Sequence, residues 1–190
     1  MEVNLLENER IDDLQFKGLR IIQNSKGFCF GIDAVLLANF TRVKKNAKLV
    51  DLGTGTGIIP ILLAGKSSAS KIIGIEIQDE VAEMASRSVK LNQLEDRVEI
   101  LNMDMKDAVG VLGKGQMDLV VSNPPYIEDQ VIEGLERDVK DYEPRLALAG
   151  GNDGMDFYNR IIEDAYDYLK LGGKLVFESG HDQAEKILKK

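Results

Sequence analysis

Leu49-Val50-Asp51-Leu52-Gly53-Thr54-Gly55-Thr56-Gly57 reads as an apolar strand running into a glycine-rich turn, with a helix starting at Ile58. Glycine tolerates positive φ and lets a ligand come close to the backbone. The helix that follows aims its first free N–H groups at whatever sits above the turn, which suits a carboxylate or a phosphate. The spacing is G-x-G-x-G, and Ile58 stands where a dinucleotide fingerprint places its third glycine. Asp51, at the strand's end, would repel a pyrophosphate and attract an ammonium. A ligand carrying both an amino group and a carboxylate fits this turn better than a dinucleotide.

Nineteen residues after Gly57, the segment Lys71-Ile72-Ile73-Gly74-Ile75-Glu76-Ile77 brings an acid to the tip of a second strand. Such an acid can accept both hydroxyls of a ribose. Strand, D-x-G-x-G-x-G, helix, strand and acid in this order predict a nucleoside-cofactor site, and S-adenosylmethionine carries the required amino, carboxylate and ribose groups.

From Leu49 onward strands and helices alternate. Strands are expected over 49–53, 71–77, 97–103, 117–122 and 174–178, and helices over 57–64, 79–91, 105–112, 154–170 and from Gln183 onward. This order predicts an α/β fold with a mostly parallel sheet flanked by helices and right-handed crossovers. Asp51, Glu76, Asp104 and Asn123 fall at the carboxyl ends of strands, where such sheets bind ligands. Residues 1–48 are expected to form an N-terminal hairpin and helix packed on the core, and 49–190 one compact catalytic core. Residues 1–15 read as a loose, polar start. The hairpin is placed at 16–30 around Asn24-Ser25-Lys26-Gly27. Asp33 is a candidate cap for a helix over Ala34–Phe40, apolar enough to pack on the sheet. The stretch 126–153 reads as a long loop, and a loop of that length in a compact domain suggests function or mobility.

The 190 residues suffice for one such domain; 44% are hydrophobic and 29% charged, an ordinary globular balance. No apolar run is long enough to cross a membrane and no signal peptide opens the chain, so no membrane partner and a cytoplasmic location are expected. The single cysteine, Cys29, excludes an internal disulfide and reads as a packed strand residue. The single histidine, His181, has no companion with which to build a metal site, so no metal is expected. A net charge of −8 argues against a protein that wraps nucleic acid, although residues 1–50 alone sum to +2. The basic run 42–48 reads as a solvated loop.

Ser122-Asn123-Pro124-Pro125-Tyr126 ends the fourth core strand. Its two prolines have no N–H, so the backbone there offers carbonyls, and Asn123 adds a side-chain carbonyl. Two adjacent acceptors can hold both hydrogens of a planar –NH₂ and return electron density to its delocalised nitrogen. Tyr126 adds a ring able to stack on the planar group. With the nitrogen in line with a sulfonium methyl, no strong base is required.

D-L-G-T-G-T-G, Glu76, Asp104 and N-P-P-Y together resemble the Rossmann-like class I S-adenosylmethionine-dependent N-methyltransferases. The resemblance implies that Asp51, Gly53, Thr54, Gly55 and Gly57 hold the methionine end of S-adenosyl-L-methionine. It also implies that Glu76 holds the ribose with Ile77 against the adenine, and that Asp104 bonds the adenine amino group with Met105 beside it. Asn123, Pro124, Pro125 and Tyr126 would be catalytic, with Asn123 also near the cofactor. Phe30 and Asp33 match an N-terminal element that closes over the cofactor.

The finer resemblance divides. Residues 10–125, with Gly27-Phe28-Cys29-Phe30-Gly31-Ile32-Asp33, are similar to bacterial tRNA (adenine-N6) methyltransferases of valine tRNA. Residues 123–187, with Asp141-Tyr142-Glu143-Pro144-Arg145-Leu146-Ala147-Leu148 and Gly150-Gly151-Asn152-Asp153-Gly154, are similar to release-factor glutamine-N5 methyltransferases. The chain reads as a chimera or a natural intermediate. The first expectation is N6 methylation of an adenine in tRNA, with a release-factor glutamine as the alternative and a binding scaffold without native substrate as a third reading. The family's sheet continues by two more strands than the residues here provide. The fifth strand, Lys174–Glu178, is therefore expected as an open edge through which copies of the chain self-associate.

Overall fold

A computed structural model describes residues 3–27, 29–135 and 145–190. A two-stranded antiparallel hairpin, β1 (Glu9–Asp13) and β2 (Arg20–Asn24), comes first, followed by α1 (Ile32–Phe40). The main sheet comprises β3 (Lys48–Leu52), β4 (Lys71–Glu76), β5 (Val98–Asn102), β6 (Met117–Ser122) and β7 (Leu169–Phe177). Its order is β5-β4-β3-β6-β7 and every pairing is parallel. From β3 the chain steps outward to β4 and β5, then returns to β6 on the other flank. The direction of winding therefore reverses between β3 and β6, which opens a crevice above their carboxyl ends.

Helices α2 (Ile58–Lys66) and α3 (Asp79–Leu91) cover one face of the sheet. Short α4 (Ala108–Leu112) and long α7 (Asp156–Tyr168) cover the other. Alternation along β3 explains the division. Leu49 packs among the α2-side residues, whereas Val50 and Leu52 pack with Ile161 and Tyr168 of α7. Every residue of α2 from Ile58 to Ala64 is buried. That helix is apolar all round because it lies between the sheet and α1.

Several boundaries differ from the sequence expectation. Residues 9–13 are not loose but form β1, and the hairpin pairs 9–13 with 20–24 rather than lying at 16–30. Glu-Arg-Ile-Asp-Asp shows no apolar alternation, so its strand character arises only from pairing with β2 and from docking on α3. There the Ile22 N–H donates to the buried Ser88 hydroxyl (2.9 Å), and Arg87 pairs with Glu9 (2.6 Å). A turn does form at Asn24–Gly27, closed by the Gly27 N–H on Asn24 O (3.1 Å), but among the described residues that follow, Cys29 and Phe30 are not in a strand. Cys29 accordingly lies outside any strand, half-buried, its Sγ 3.6 Å from Asn24 O.

α1 begins two residues earlier than expected. Its N-cap is Gly31, without a side-chain cap bond, and Asp33 lies within the first turn. The helix packs on α2 instead of directly on the sheet, since α2 already occupies that face. In the long segment after β6, α5 (Asp129–Ile132) and α6 (Arg145–Leu148) are short helices, and Ile127 bridges Ala149 in parallel. Phe28 and Asp141–Pro144 lie outside the described residues.

α7 ends at Tyr168 and β7 starts at once, so Gly172-Gly173 is part of the strand, not a stop after a helix. The register against β6 slips between Leu169 and Lys174, and Leu171 projects into solvent in the slip. Among the described residues β7 pairs with β6 alone and forms one edge of the sheet.

Candidate active site

The crevice predicted by the topology is a cleft of about 1260 Å³ at the carboxyl ends of β3, β4, β5 and β6. Single-ligand pockets are roughly 300–1,000 Å³, so this one has room for a nucleoside cofactor and part of a second molecule.

Gly53 and Gly55 form its floor, and Gly53, Gly55 and Gly57 adopt φ of +73°, +56° and +84°, a run that residues with side chains would strain to follow. The Gly53 and Thr54 N–H groups both donate to Ile75 O (2.9 and 2.8 Å), which ties the loop to the end of β4. Glu76 is buried at 5% exposure and acts as the loop's second anchor. Its Oε2 accepts from Gly55 N–H (2.9 Å) and its Oε1 from Gln78 N–H (2.9 Å). A carboxylate has about four lone-pair sites, so Glu76 keeps acceptor capacity toward the cleft after both bonds.

After β5, the Asp104 carboxylate accepts from the Lys106 N–H (3.0 Å) and pairs with its ammonium (2.8 Å). The Lys106 contact holds its carboxyl below the usual carboxylate range. Two fully buried tyrosines of α7 fix the neighbouring loops. The Tyr168 hydroxyl donates to Met105 O (2.7 Å), and the Tyr158 hydroxyl donates to Glu178 O (3.0 Å). Ile77 and Met105 both line the Glu76–Asp104 end with apolar surface, Ile77 more than half exposed.

At the other end stand Ser122 to Pro125. The Ser122 hydroxyl donates to Leu52 O (2.7 Å), tying β6 to β3 across the point where the winding reverses. Asn123 faces the cleft, and no described residue hydrogen-bonds its side chain.

The structure thus brings Gly53, Gly55, Glu76, Ile77, Asp104, Met105, Asn123, Pro124 and Pro125 to one cleft. It does not place Asp51, Thr54, Gly57, Phe30, Asp33 or Tyr126 on the wall. Asp51 is fully buried beneath the loop, because its side chain points into the sheet's α2-side face. Thr54 is buried beside it and Gly57 packs on Ala85. Phe30 packs into the α2-side core, with its N–H on the buried Gln23 side chain (2.9 Å). Asp33 and Tyr126 both turn toward Glu178, whose carboxyl is pushed up by burial and by the Asp33 charge and eased down by the Tyr126 hydroxyl.

Sequence reasoning missed Gln78, Asp79, Phe157 and Arg160, and the wall built by Leu6, Glu7 and Glu9. Phe157 carries a signal only in retrospect: it sits at the start of α7's apolar stripe, half-buried where the stripe overhangs the cleft. No group of three or more His, Cys, Asp or Glu suited to a metal occurs among the described residues, and no helix there is long and apolar enough to cross a membrane.

Asp51 is the electrostatic oddity. Both carboxylate oxygens are buried without a hydrogen-bond partner. Burial pushes its carboxyl up to about 7; the Thr54 hydroxyl opposes the shift without reaching hydrogen-bond geometry, and the nearby Glu76 charge adds to it. The folded pKa lies above the unfolded one. The folded state therefore binds the extra proton between about pH 4 and 7, and stability falls as pH rises through that window. The full cost above pH 7 is on the order of 4 kcal/mol. Urea unfolding of Asp51→Asn, compared with the parent chain, should show little difference near pH 4 and a stabilised variant at pH 8. A constant difference across this range would remove the assignment.

The parallel sheet, the reversal at β3/β6 and the glycine-loop cleft define a Rossmann-like class I methyltransferase fold, a class whose cofactor is S-adenosylmethionine. A family model, the methyltransferase small domain, matches residues 30–137, more than half of the chain, and the chain belongs to that family. It is similar to a release factor glutamine methyltransferase of Geobacter sulfurreducens, 37% identical over 147 residues, covering 77% of this chain and 50% of that protein. A ribosomal protein uL3 glutamine methyltransferase of Francisella tularensis is 36% identical over 135 residues, with 71% and 42% covered. The chain therefore spans about half the length of these relatives. Among solved structures, Pyrococcus horikoshii TYW2 in complex with MeSAdo superposes with a TM-score of 0.65 over 97% of this chain and 60% of that one, at 17% identity, a likeness of fold.

Proposed function

We propose that this chain transfers the methyl group of S-adenosylmethionine to the side-chain amide nitrogen of a glutamine in a protein. The observation that carries this reading is Asn123 at the winding reversal. Its side chain is uncommitted and faces the cleft, and two prolines follow whose backbone can only accept hydrogen bonds.

The residues present fit the cofactor. The orphaned Asp51 carboxyl favours positive charge above the glycine loop. Glu76 retains lone pairs for ribose hydroxyls, and Ile77 and Met105 offer apolar surface for a planar base. Thr54 and Gly57 keep the loop's shape from below. Bound there, the cofactor supplies an electrophilic methyl on a sulfonium. Asn123 Oδ1 and the Pro124 carbonyl accept the two amide hydrogens and return density to a nitrogen that is otherwise a poor nucleophile. That interaction strengthens as charge leaves the nitrogen, so it favours the transition state over the ground state. The methylated nitrogen then loses one of these hydrogens to solvent, and no strong base is needed.

Two observations support a protein substrate over the tRNA adenine that the N-terminal half suggests. The two relatives named above, 37% and 36% identical, are glutamine methyltransferases. The cleft is also acidic. Eight acidic residues line it; Glu9 and Glu83 pair with Arg87 and Asp104 with Lys106, while Glu7, Glu76, Asp79, Glu80 and Asp156 carry no ion pair among the described residues. An RNA backbone would meet like charge there. A match of 147 residues in a chain of 190 also takes in both the glycine loop and N-P-P-Y, which supports one continuous ancestry over a chimera.

The test is incubation with methyl-labelled cofactor and, separately, a purified peptide release factor and bulk tRNA. Label on a glutamine of the protein is the expected result. Label on RNA alone would transfer the reading to an adenine, and binding without transfer to either would leave a cofactor scaffold.

A further inference from the structure

The two prolines that free carbonyls for a substrate also remove the N–H groups that would hold this stretch of backbone in place. After Ser122 O accepts from Glu178 N–H (3.1 Å), the β6–β7 ladder stops. Pro124 and Pro125 donate nothing. The segment must be fixed further along, and the structure has a device for it.

Gln183, just before α8 (Ala184–Leu188), is 5% exposed. Its Nε2 donates to Tyr126 O (2.9 Å) and to Gly154 O (3.2 Å), and its Oε1 accepts from Gly180 N–H (3.1 Å). One buried amide thus joins three segments that are far apart in sequence. The Tyr126 backbone sits in a tight socket. A Cβ at Gly150 would come within 2.7 Å of Tyr126 Cα, and one at Gly154, which has φ +70°, would strike both Tyr126 O and the Gln183 amide. Ile127 continues the hold, donating to Leu148 O (3.0 Å) and accepting from Gly150 N–H (2.8 Å).

We propose that Gln183 is a positioning residue for the methyl-accepting site: by clamping the Tyr126 carbonyl in this glycine socket it sets the direction of Asn123 and of the Pro124 carbonyl. The inference rests on the reading of Asn123–Tyr126 given above. Gln183 touches neither substrate nor cofactor. It replaces the backbone anchorage that two consecutive prolines cannot provide. It also gives the Gly150-Gly151-Asn152-Asp153-Gly154 stretch a physical role as the wall that this backbone is pressed against.

The experiment compares the parent chain with Gln183→Leu and Gln183→Glu. It measures kcat on the release-factor substrate, cofactor Kd by calorimetry, and amide hydrogen exchange resolved at Ile127 and Gly150. Gln183→Leu should lower kcat on the order of 10²-fold, as misplacement by about an ångström does. Cofactor Kd should stay within about twofold, and exchange at Ile127 and Gly150 should quicken by about tenfold while the β3–β4 amides stay protected. Gln183→Glu keeps an acceptor for Gly180 but donates to Tyr126 O only when protonated, so its kcat should recover as pH falls, a profile the parent lacks. Unchanged kcat and exchange in Gln183→Leu would overturn the inference. So would parallel loss of kcat, cofactor affinity and protection throughout the sheet, which would make Gln183 a general stability residue. If the parent methylates no glutamine while exchange at Ile127 and Gly150 still rises selectively, the clamp stands and the proposed substrate fails.

Discussion

Asn123→Ala should lower kcat for methyl transfer by roughly 10²–10³-fold, the usual cost of losing one acceptor or donor aimed at charge that develops in a transition state. Cofactor Kd should change by less than about twofold. The two effects separate because no described residue leans on the Asn123 side chain, so its removal unpairs none of the described residues. It projects from the end of β6 after Ser122, which is itself held by Leu52 O, so the truncation leaves the strand's end in place. Asn123→Asp keeps acceptor oxygens in the same position and should retain more activity than Asn123→Ala. Stopped-flow turnover on a verified substrate, with calorimetry for cofactor binding, gives both numbers. A kcat equal to that of the parent would remove Asn123 from the chemistry.

Glu76→Ala is expected to act on the other half of the site and to abolish measurable cofactor binding, a loss on the order of 10²-fold or more. Hydrogen bonds to a charged acceptor contribute about 1.5–3 kcal/mol each, and a ribose offers two hydroxyls. The substitution also strips the Gly55 and Gln78 N–H groups of the carboxylate that accepts from them, so the glycine loop loses the second of its two anchors at the end of β4. Circular dichroism and the melting temperature distinguish a loosened loop from an unfolded chain, and the Thr54 and Gly53 bonds to Ile75 O should keep the sheet intact. Binding within threefold of the parent would place the ribose elsewhere in the cleft.

Much of the candidate site is legible in the sequence because its residues sit at strand ends, and strand ends are visible in sequence. Short apolar runs stopped by Gly53, Glu76, Asp104 and Asn123 mark them, and a parallel sheet carries all its carboxyl ends to one side. α3 was read to the residue, 79–91, because its apolar positions recur at helical spacing and its neighbours are polar. β6, 117–122, is legible for the opposite reason: its centre, Leu119–Val121, is buried on both faces and is an unbroken apolar run. β1 was missed because a polar strand at the protein's margin owes its form to its partner, and no local pattern announces the partner.

The sequence by itself determined the order of the core strands and their main helices from Leu49 onward, the glycine loop, the acid at Glu76 and the N-P-P-Y stretch at Asn123, since each is a local consequence of residue type and spacing. The tertiary structure alone decided which of these reach the cleft. Asp51, one residue from the loop, turns inward and becomes a buried acid, because side chains alternate along a strand and its face belongs to the α2-side core. Tyr126, adjacent to Pro124 and Pro125, turns away to Gly180 and Glu178. Its carbonyl is held by Gln183, 57 residues later, a contact made only when β7 has returned the chain beside β6. Such pairings bring together positions with no periodic or spacing relation in the sequence. They follow from the sheet order, which places β7 next to β6.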